Sequence, residues 1–152
     1  KESAISWINK LKTSNKNLVL GADIICGFPK ESEIHFLDTY NTLKELNIPL
    51  LHVFPYSERS GTPAAKMEQL PQYTRKERAL KLIGLANNLK QQFFNSKLGK
   101  VEEILVESNN LGHTKDYSQV KITNKAVEKN SLIQTLIISN NGSSLIGEAL
   151  NV

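Results

Sequence analysis

Residues 21–32 read GADIICGFPKES, and this stretch determines the first part of the fold. The apolar run that leads into it begins at Leu18 and ends at Cys26, just before a turn that contains glycine and proline. A short run that is this apolar and rich in β-branched residues is typical of a strand buried on both faces. We therefore predict a buried strand over residues 18–26.

The segments around this strand alternate between helix and strand signals. Apolar residues at helical spacing predict helices over about 3–12 and 31–46, and LLHVF at 50–54 predicts a second buried strand. An αβαβ order implies parallel strands joined by a right-handed crossover. Two such strands cannot close a sheet, so we expect residues 1–65 to be part of an α/β barrel or of an open α/β sheet.

Residues 66–98 predict one long helix with an excess of positive charge. The capping-box pattern TRKE places its N-cap at Thr74, and Gly99 is suited to end it. The segment carries seven basic residues against two acidic ones, a net charge of +5, whereas the parts on either side are close to neutral. Such a segment attracts a polyanion, because each neutralised phosphate releases counterions. The alternative is a solvated helix face without a partner.

From Gly99 onward the spacing of the apolar residues changes from that of a helix to that of short strands. Four or five such runs occur in about 54 residues, and the Asn-Asn-Gly at 140–142 is a strong hairpin signal. Residues 99–152 therefore predict a small antiparallel barrel or sandwich.

Composition narrows the class of protein. The chain has 152 residues, 39% of them hydrophobic and 22% charged, with a net charge of +4, which is typical of globular domains. The single cysteine, Cys26, excludes an intramolecular disulfide framework and favours a reducing, intracellular compartment. No two of the three histidines stand at metal-ligand spacing. The sequence begins with Lys1 and not with Met, which indicates a piece of a longer protein.

Polar loops follow both predicted strands. The first brings Glu31 to a helix start, and the second, over residues 55–65, carries Arg59. In α/β barrels the ligand site lies at the carboxyl ends of the strands. A helix N-terminus and an arginine there suit an anionic or carboxylate-bearing ligand, although turn chemistry alone also explains these residues.

Three segments resemble, in order, motifs of the radical S-adenosylmethionine methylthiotransferases, the MiaB-like family. Residues 21–32 are similar to the family segment GADIIVGFPGET. Residues 52–65, HVFPYSERSGTPAA, are similar to its loop HVFPYSPRPGTPAA, in wording closest to the branch that acts on threonylcarbamoyladenosine in tRNA. Residues 99–117 are similar to the opening of its carboxyl-terminal TRAM domain.

The resemblance implies an α/β plus all-β fold. Residues 1–65 would be the last two βα units of a radical-SAM α/β barrel, residues 66–98 a basic connecting helix, and residues 99–152 a small antiparallel β-barrel of the RNA-binding TRAM type. Without its neighbours, the partial barrel is expected to expose strand edges and one apolar sheet face. The implied partners are tRNA and the missing N-terminal part of the enzyme, in the cytoplasm and without a membrane.

The resemblance also implies a reaction, the addition of a methylthio group to N6-threonylcarbamoyladenosine beside the anticodon. Family enzymes use S-adenosylmethionine and two 4Fe-4S clusters, one of them held by a CxxxCxxC motif that this chain lacks. We therefore expect no catalytic residue, no metal and no stably bound cofactor in this chain, which should be inactive alone. The residues that match the S-adenosylmethionine side are Asp23, Ile25, Gly27, Glu31 and Arg59. The residues expected to bind RNA are Arg75, Lys76, Arg78, Lys81, Lys100 and Lys115.

The sequence departs from the family pattern at Lys30, where the family has glycine, and at Glu58 and Ser60, where it has proline. Lys30 is the most consequential departure, because a glycine in a turn often supplies a positive φ. Two alternatives stay open: a non-catalytic RNA-binding module, and a decayed gene product. A CxxxCxxC motif encoded upstream in the same frame would favour the enzyme over both.

Overall fold

The computed structural model describes residues 2–15 and 17–150. Residues 1, 16, 151 and 152, which include the ends of the first and last predicted segments, lie outside the described residues. The chain divides into two compact units, Lys1–Leu89 and Lys90–Val152. The elements of the first part are α1 (Glu2–Ser14), β1 (Gly21–Cys26), α2 (Glu33–Leu46), β2 (Leu50–Pro55), a 3-10 turn (Ala64–Lys66) and α3 (Gln72–Asn95). The strands that follow are β3 (Val101–Ser108), β4 (Leu111–His113), β5 (Gln119–Ile122), β6 (Leu132–Asn140) and β7 (Leu145–Ala149).

The first unit is built on a parallel pair of strands, as the αβαβ order predicts. β1 and β2 pair from Gly21 opposite Leu50 to Cys26 opposite Pro55. The crossover helix α2 begins after Ser32, whose side chain caps the helix by accepting a hydrogen bond from the backbone amide of His35. These bounds agree with the predicted helix to within two residues.

Only one face of this two-stranded sheet is covered. Ala22, Ile24 and Val53 pack against a core made of α2 and α3 residues, with Phe36 and Leu82 among the most buried. On the other face Ile25 is 60% exposed and Phe54 is 51% exposed. The prediction that both strands are buried on both faces is therefore wrong for this chain; one face is exposed, as expected, and it carries apolar side chains among polar ones. The reason is that the helices in the described residues pack against one side of the sheet only.

Helix α3 begins earlier than the capping box predicts. The backbone amide of Arg75 donates to the carbonyl of Pro71, so the first helical turn already includes Gln72, and Thr74 is not the N-cap. Pro71 accepts this first helical hydrogen bond and lies just outside the helix.

The second unit contains a closed barrel in the order β3-β4-β5-β7-β6, which confirms the predicted small β-barrel. Its interior includes Ile104, Val120, Ile137 and Leu145, each fully buried. The Asn-Asn-Gly hairpin joins β6 to β7, and Gly142 has the positive φ that such a turn requires. One detail is wrong: the pairing of β5 with β7 is parallel, so the barrel is not wholly antiparallel. A parallel closing pair is possible here because β6 intervenes along the chain between these two strands.

Candidate functional site

The exposed face of the two-stranded sheet brings together two of the residues predicted on the S-adenosylmethionine side. Asp23 and Ile25 alternate with the packed residues of β1 and therefore lie on its open face. Their partners in register on β2 are His52 and Phe54, which are exposed on the same face. This surface thus combines an aromatic and an aliphatic side chain with two polar ones.

Glu31 lies under the turn that leaves β1 and does not face this surface. One of its carboxylate oxygens accepts a hydrogen bond from the backbone amide of Gly27 at 3.0 Å. Between the two residues, Lys30 has φ of +63°, a left-handed conformation that β-carbon-bearing residues adopt at a cost. A glycine, which the family pattern has at this position, would adopt this conformation without that cost. Lys30 therefore occupies a strained turn, as the sequence predicted.

Arg78 of α3 binds both Glu31 and the first turn of α2. Its guanidinium donates to the other carboxylate oxygen of Glu31 at 2.6 Å and to the backbone carbonyl of Glu31 at 2.8 Å. It also pairs with the carboxylate of Glu33 at 3.1 Å and lies 5.3 Å from the ring centre of Phe36. The side chain of Arg78 is only 6% exposed, and that of Glu31 15%. Arg78 thus holds the first turn of α2 and the end of β1 together.

Arg75 makes a similar connection one turn earlier in the helix. Its guanidinium donates to the backbone carbonyl of Tyr56, in the loop after β2, at 3.2 Å. Its aliphatic stem lies against Gly27, where an added β-carbon would come within 2.6 Å of Arg75 Cγ. Gly27 is therefore required for the close approach as well as for its φ of +73°. Arg59, in contrast, lies exposed on the second loop, where its backbone carbonyl accepts from Thr62.

These contacts change the assignment of the basic helix. Arg78 is buried in ion pairs and Arg75 is half-buried against the strand ends, so neither belongs to an exposed basic surface. Within residues 66–98, all of which the structure describes, the exposed charges are Lys66, Lys76, Lys81, Glu68 and Glu77. Lys81 is moreover paired with Glu77 at 2.9 Å. The net charge of +5 read from the sequence thus falls to +1 among the exposed side chains.

A third basic residue of this segment is internal to the second unit. Lys97 is 5% exposed and donates to Glu102 at 2.8 Å and to Asp116 at 2.5 Å. Burial disfavours the charged form of both Lys97 and Asp116, but their hydrogen bonds outweigh this effect. Hydrogen bonds to Asp116 and Glu102 raise the pKa of Lys97. Hydrogen bonds from Lys97, Thr114 and Ser118 lower the pKa of Asp116. The remaining residues predicted to bind RNA are exposed: Lys100 lies just before β3, and Lys115 pairs with Glu103 at 2.9 Å.

The described residues contain no cluster of three or more histidine, cysteine or acidic side chains positioned to hold a metal ion. Cys26 is 2% exposed, and burial, followed by the nearby Glu31 carboxylate, raises the pKa of its thiol. A single buried thiol does not fit an iron–sulfur cluster. In residues 2–15 and 17–150, no helix is long and apolar enough to cross a bilayer.

Sequence reasoning missed the two arginine contacts and the Lys97–Asp116 pair. A signal for Arg78 was present: it precedes Leu82, Leu85 and Leu89 at the spacing of the buried stripe of α3, so it occupies a core-facing position. For Lys97 the sequence offers no comparable signal, because its partners lie on other elements.

Comparison with known proteins gives consistent matches. The chain is 44% identical over 120 residues to the threonylcarbamoyladenosine tRNA methylthiotransferase MtaB of Rickettsia prowazekii, a match that covers 79% of the chain and 28% of the relative. Identity to the protein of the same name from Bacillus subtilis is 40% over 123 residues, covering 74% of the chain and 27% of the relative. The tRNA-2-methylthio-N(6)-dimethylallyladenosine synthase of Acetivibrio thermocellus is 36% identical over 153 residues, covering 100% of the chain and 30% of the relative.

Two of these relatives are named tRNA methylthiotransferases and the third a tRNA-2-methylthio-N(6)-dimethylallyladenosine synthase, and the chain spans less than a third of the length of each. The chain is homologous to a part of such enzymes, and the resemblance predicted from its three motifs is confirmed. No protein-family model matches the chain.

Proposed function

We propose that the chain is the carboxyl-terminal part of a radical S-adenosylmethionine tRNA methylthiotransferase, with residues 1–65 from the catalytic barrel, 66–98 as connecting helix and 99–152 as a TRAM domain. The observation that carries the proposal is the similarity over the whole chain to a tRNA-2-methylthio-N(6)-dimethylallyladenosine synthase of which the chain spans only 30%. The threonylcarbamoyladenosine branch is favoured by the 44% and 40% identities to enzymes of that name. A cytoplasmic location accords with a tRNA substrate.

The open face of the sheet is proposed as one side of the S-adenosylmethionine site. Ile25 offers an exposed apolar surface for an adenine ring, and Asp23 beside it offers a carboxylate that accepts hydrogen bonds. S-adenosylmethionine, when bound, supplies radical chemistry. Gly27 and Glu31 support this face from within the turn, and Arg59 stays a proposed contact from the second loop. The lone buried thiol does not fit the implied clusters, so no step is derived through them.

The barrel and the exposed lysines are proposed to hold tRNA. The proposed contacts are Lys76, Lys81, Lys100 and Lys115; Arg75 and Arg78 are left out because their guanidinium groups already bind carbonyl and carboxylate oxygens. Phosphate contact by this set is limited, because Lys81 is paired with Glu77 and Lys115 with Glu103. Two or three contacts would give binding that weakens only modestly with salt, since each contact contributes about one unit or less to the slope of log K against log salt.

A non-catalytic RNA-binding module is the second candidate, favoured by the single buried Cys26. One experiment separates the two. The complete reading frame that encodes this chain is expressed in a bacterium lacking its own threonylcarbamoyladenosine methylthiotransferase, and nucleosides of its tRNA are analysed by mass spectrometry. The enzyme restores the methylthio nucleoside, and Ile25→Asp reduces it without reducing protein level. A reading frame that leaves the nucleoside absent, while the chain still binds tRNA, supports the module instead.

The RNA part is tested separately on the 152-residue chain by measuring tRNA affinity against salt concentration. Changing Lys76, Lys81, Lys100 and Lys115 to Ala should lower both the affinity and the salt slope. Changing Lys10 and Lys44, exposed on α1 and α2, is the control for the pair Lys76 and Lys81 and should leave both quantities unchanged. Equal effects of the two sets would contradict the proposed contacts.

A further inference from the structure

A groove of about 570 Å³ lies on the outside of the barrel, wholly within the second unit. Its floor consists of Leu105 on β3 and Leu132 on β6, which pair in register and are 45% and 66% exposed. On the other side of Leu105, His113 of β4 continues the same row. The groove therefore has a flat apolar base on the surface of the sheet.

Tyr117 borders this groove and is held outward by a rigid loop. Its side chain is 84% exposed, although a large aromatic ring is costly to leave in water. Its backbone has φ of +62°, a conformation that a tyrosine adopts only when the surroundings impose it. The surroundings do so here: the Tyr117 amide donates to the Thr114 carbonyl, and the Asp116 carboxylate accepts from the hydroxyls of Thr114 and Ser118.

The same loop is anchored to the barrel through charge. The second oxygen of Asp116 pairs with the buried Lys97, whose ammonium also binds Glu102. The position of the Tyr117 backbone is thus determined by a buried network and not by the tyrosine ring itself. A loop that is fixed this firmly, with its aromatic side chain in solvent, presents a preorganised stacking surface.

The rim of the groove is polar but close to neutral. Glu103 pairs with Lys115 at 2.9 Å, and Glu107 pairs with His113 at 2.9 Å. Two carboxylates at the rim make the groove unsuited to phosphate. They are complementary to a planar, uncharged group that carries amino donors at its edge, because a carboxylate only accepts hydrogen bonds when ionised.

We propose that this groove binds one unpaired RNA base with an exocyclic amino group, which stacks on Tyr117 over Leu105 and Leu132 and donates to Glu103 or Glu107. The proposal rests on the RNA-binding part of the proposed function. The contact is made through base stacking, which is tolerant of sequence and acts in addition to any phosphate contacts of the exposed lysines.

The test uses the 152-residue chain and fluorescence anisotropy of two labelled probes, a short oligoadenylate and the same ribose–phosphate chain without bases. Tyr117→Ala should weaken binding of oligoadenylate about tenfold and leave the abasic probe unchanged. Tyr117→Phe should retain the affinity of the wild type. Tyr73→Ala is the matched control, because Tyr73 is 73% exposed and lies outside the barrel. Thermal unfolding of each variant shows that the fold is intact.

The other outcomes overturn the proposal in distinguishable ways. Unchanged oligoadenylate binding by Tyr117→Ala, or equal weakening for both probes, refutes base stacking while leaving RNA binding in place. A wild-type chain that binds neither probe refutes the RNA-binding role and the groove proposal together. Binding of a lysine-rich peptide that depends on Tyr117, with no dependence for RNA, makes the groove a peptide site.

Discussion

The two units of this chain differ in how the edges of their strands are paired. In the second unit every strand of the barrel has a neighbour on both sides, and the interior side chains are essentially inaccessible to water. Within the described residues of the first unit, each of the two strands pairs along one edge only, and Ile25 and Phe54 lie open on the uncovered face. A closed sheet completes its own hydrogen bonding and core, whereas an open pair depends on what covers it.

The largest expected difference between the units is in amide hydrogen exchange. Amides of the barrel strands, such as those of Ile104 and Val120, should exchange at least about 100-fold more slowly than those of Ile24 and Phe54, which face the partner strand, because opening the barrel exposes a complete core. Exchange measured by NMR on the 152-residue chain checks this. Slower exchange in β1 and β2 than in the barrel would reverse the order of stability.

Within the first unit, the Arg78–Glu31 pair should dominate stability. Arg78→Met leaves a mostly buried carboxylate without its partner, which costs about 3 kcal/mol. Cys26 is a built-in reporter, since its thiol is buried in the core of this unit and reacts only when the unit opens. We expect thiol labelling to accelerate roughly 100-fold.

The matched control for that change is Lys81→Met on the same helix. The Lys81–Glu77 pair is exposed on both sides, so water screens the attraction between the two charges and the pair contributes little to stability. Labelling of Cys26 should therefore change by less than about fivefold. If the two variants accelerate labelling equally, the buried contacts of Arg78 do not stabilise the unit.

The second unit should depend on pH through Lys97 and Asp116. The pKa of Asp116 is lowered from 3.8, so its contribution to stability is present above that value and is lost as the pH falls below it. The pKa of Lys97 is raised from 10.5, so its contribution is present below that value and is lost as the pH rises beyond it. Urea unfolding of the barrel, followed by NMR, should show a plateau between these limits. Asp116→Asn should flatten the acid limb; an acid limb of unchanged steepness would contradict the assignment.

The smallest expected effect concerns the turn after β1. Lys30→Gly removes the cost of holding a lysine in the left-handed backbone conformation and should stabilise the first unit by about 1 kcal/mol. Part of this gain is offset, because glycine raises the conformational entropy of the unfolded chain. Slower labelling of Cys26 is the measurement. Lys30→Ala serves as control, because alanine bears the same β-carbon and should show no gain.

The sequence predicted most of the elements because their signals are local. The order of helices and strands in the first part, the hairpin at 140–142 and the strained turn at Lys30 each depend on a few neighbouring residues. The N-cap of α3 was predicted at Thr74, but the helix begins at Gln72, where Pro71 accepts the first helical hydrogen bond. The parallel pairing of β5 with β7 was missed because closure of a barrel joins strands that are distant along the chain.

What the sequence by itself determined is the homology, the order of elements and the strand-end motif that carries Asp23, Ile25 and Gly27. What only the tertiary structure decided is which charged side chains are buried in ion pairs and which stay exposed to water. Arg78 meets Glu31 across 47 positions, and Lys97 meets Asp116 on a different element, so neither pair is visible in any local pattern. The physical reason is that the sequence does not show whether a given charged side chain will be buried or exposed to water. Burial beside a partner turns a basic residue from a ligand for phosphate into part of the core, and only packing determines which lysines and arginines remain in water.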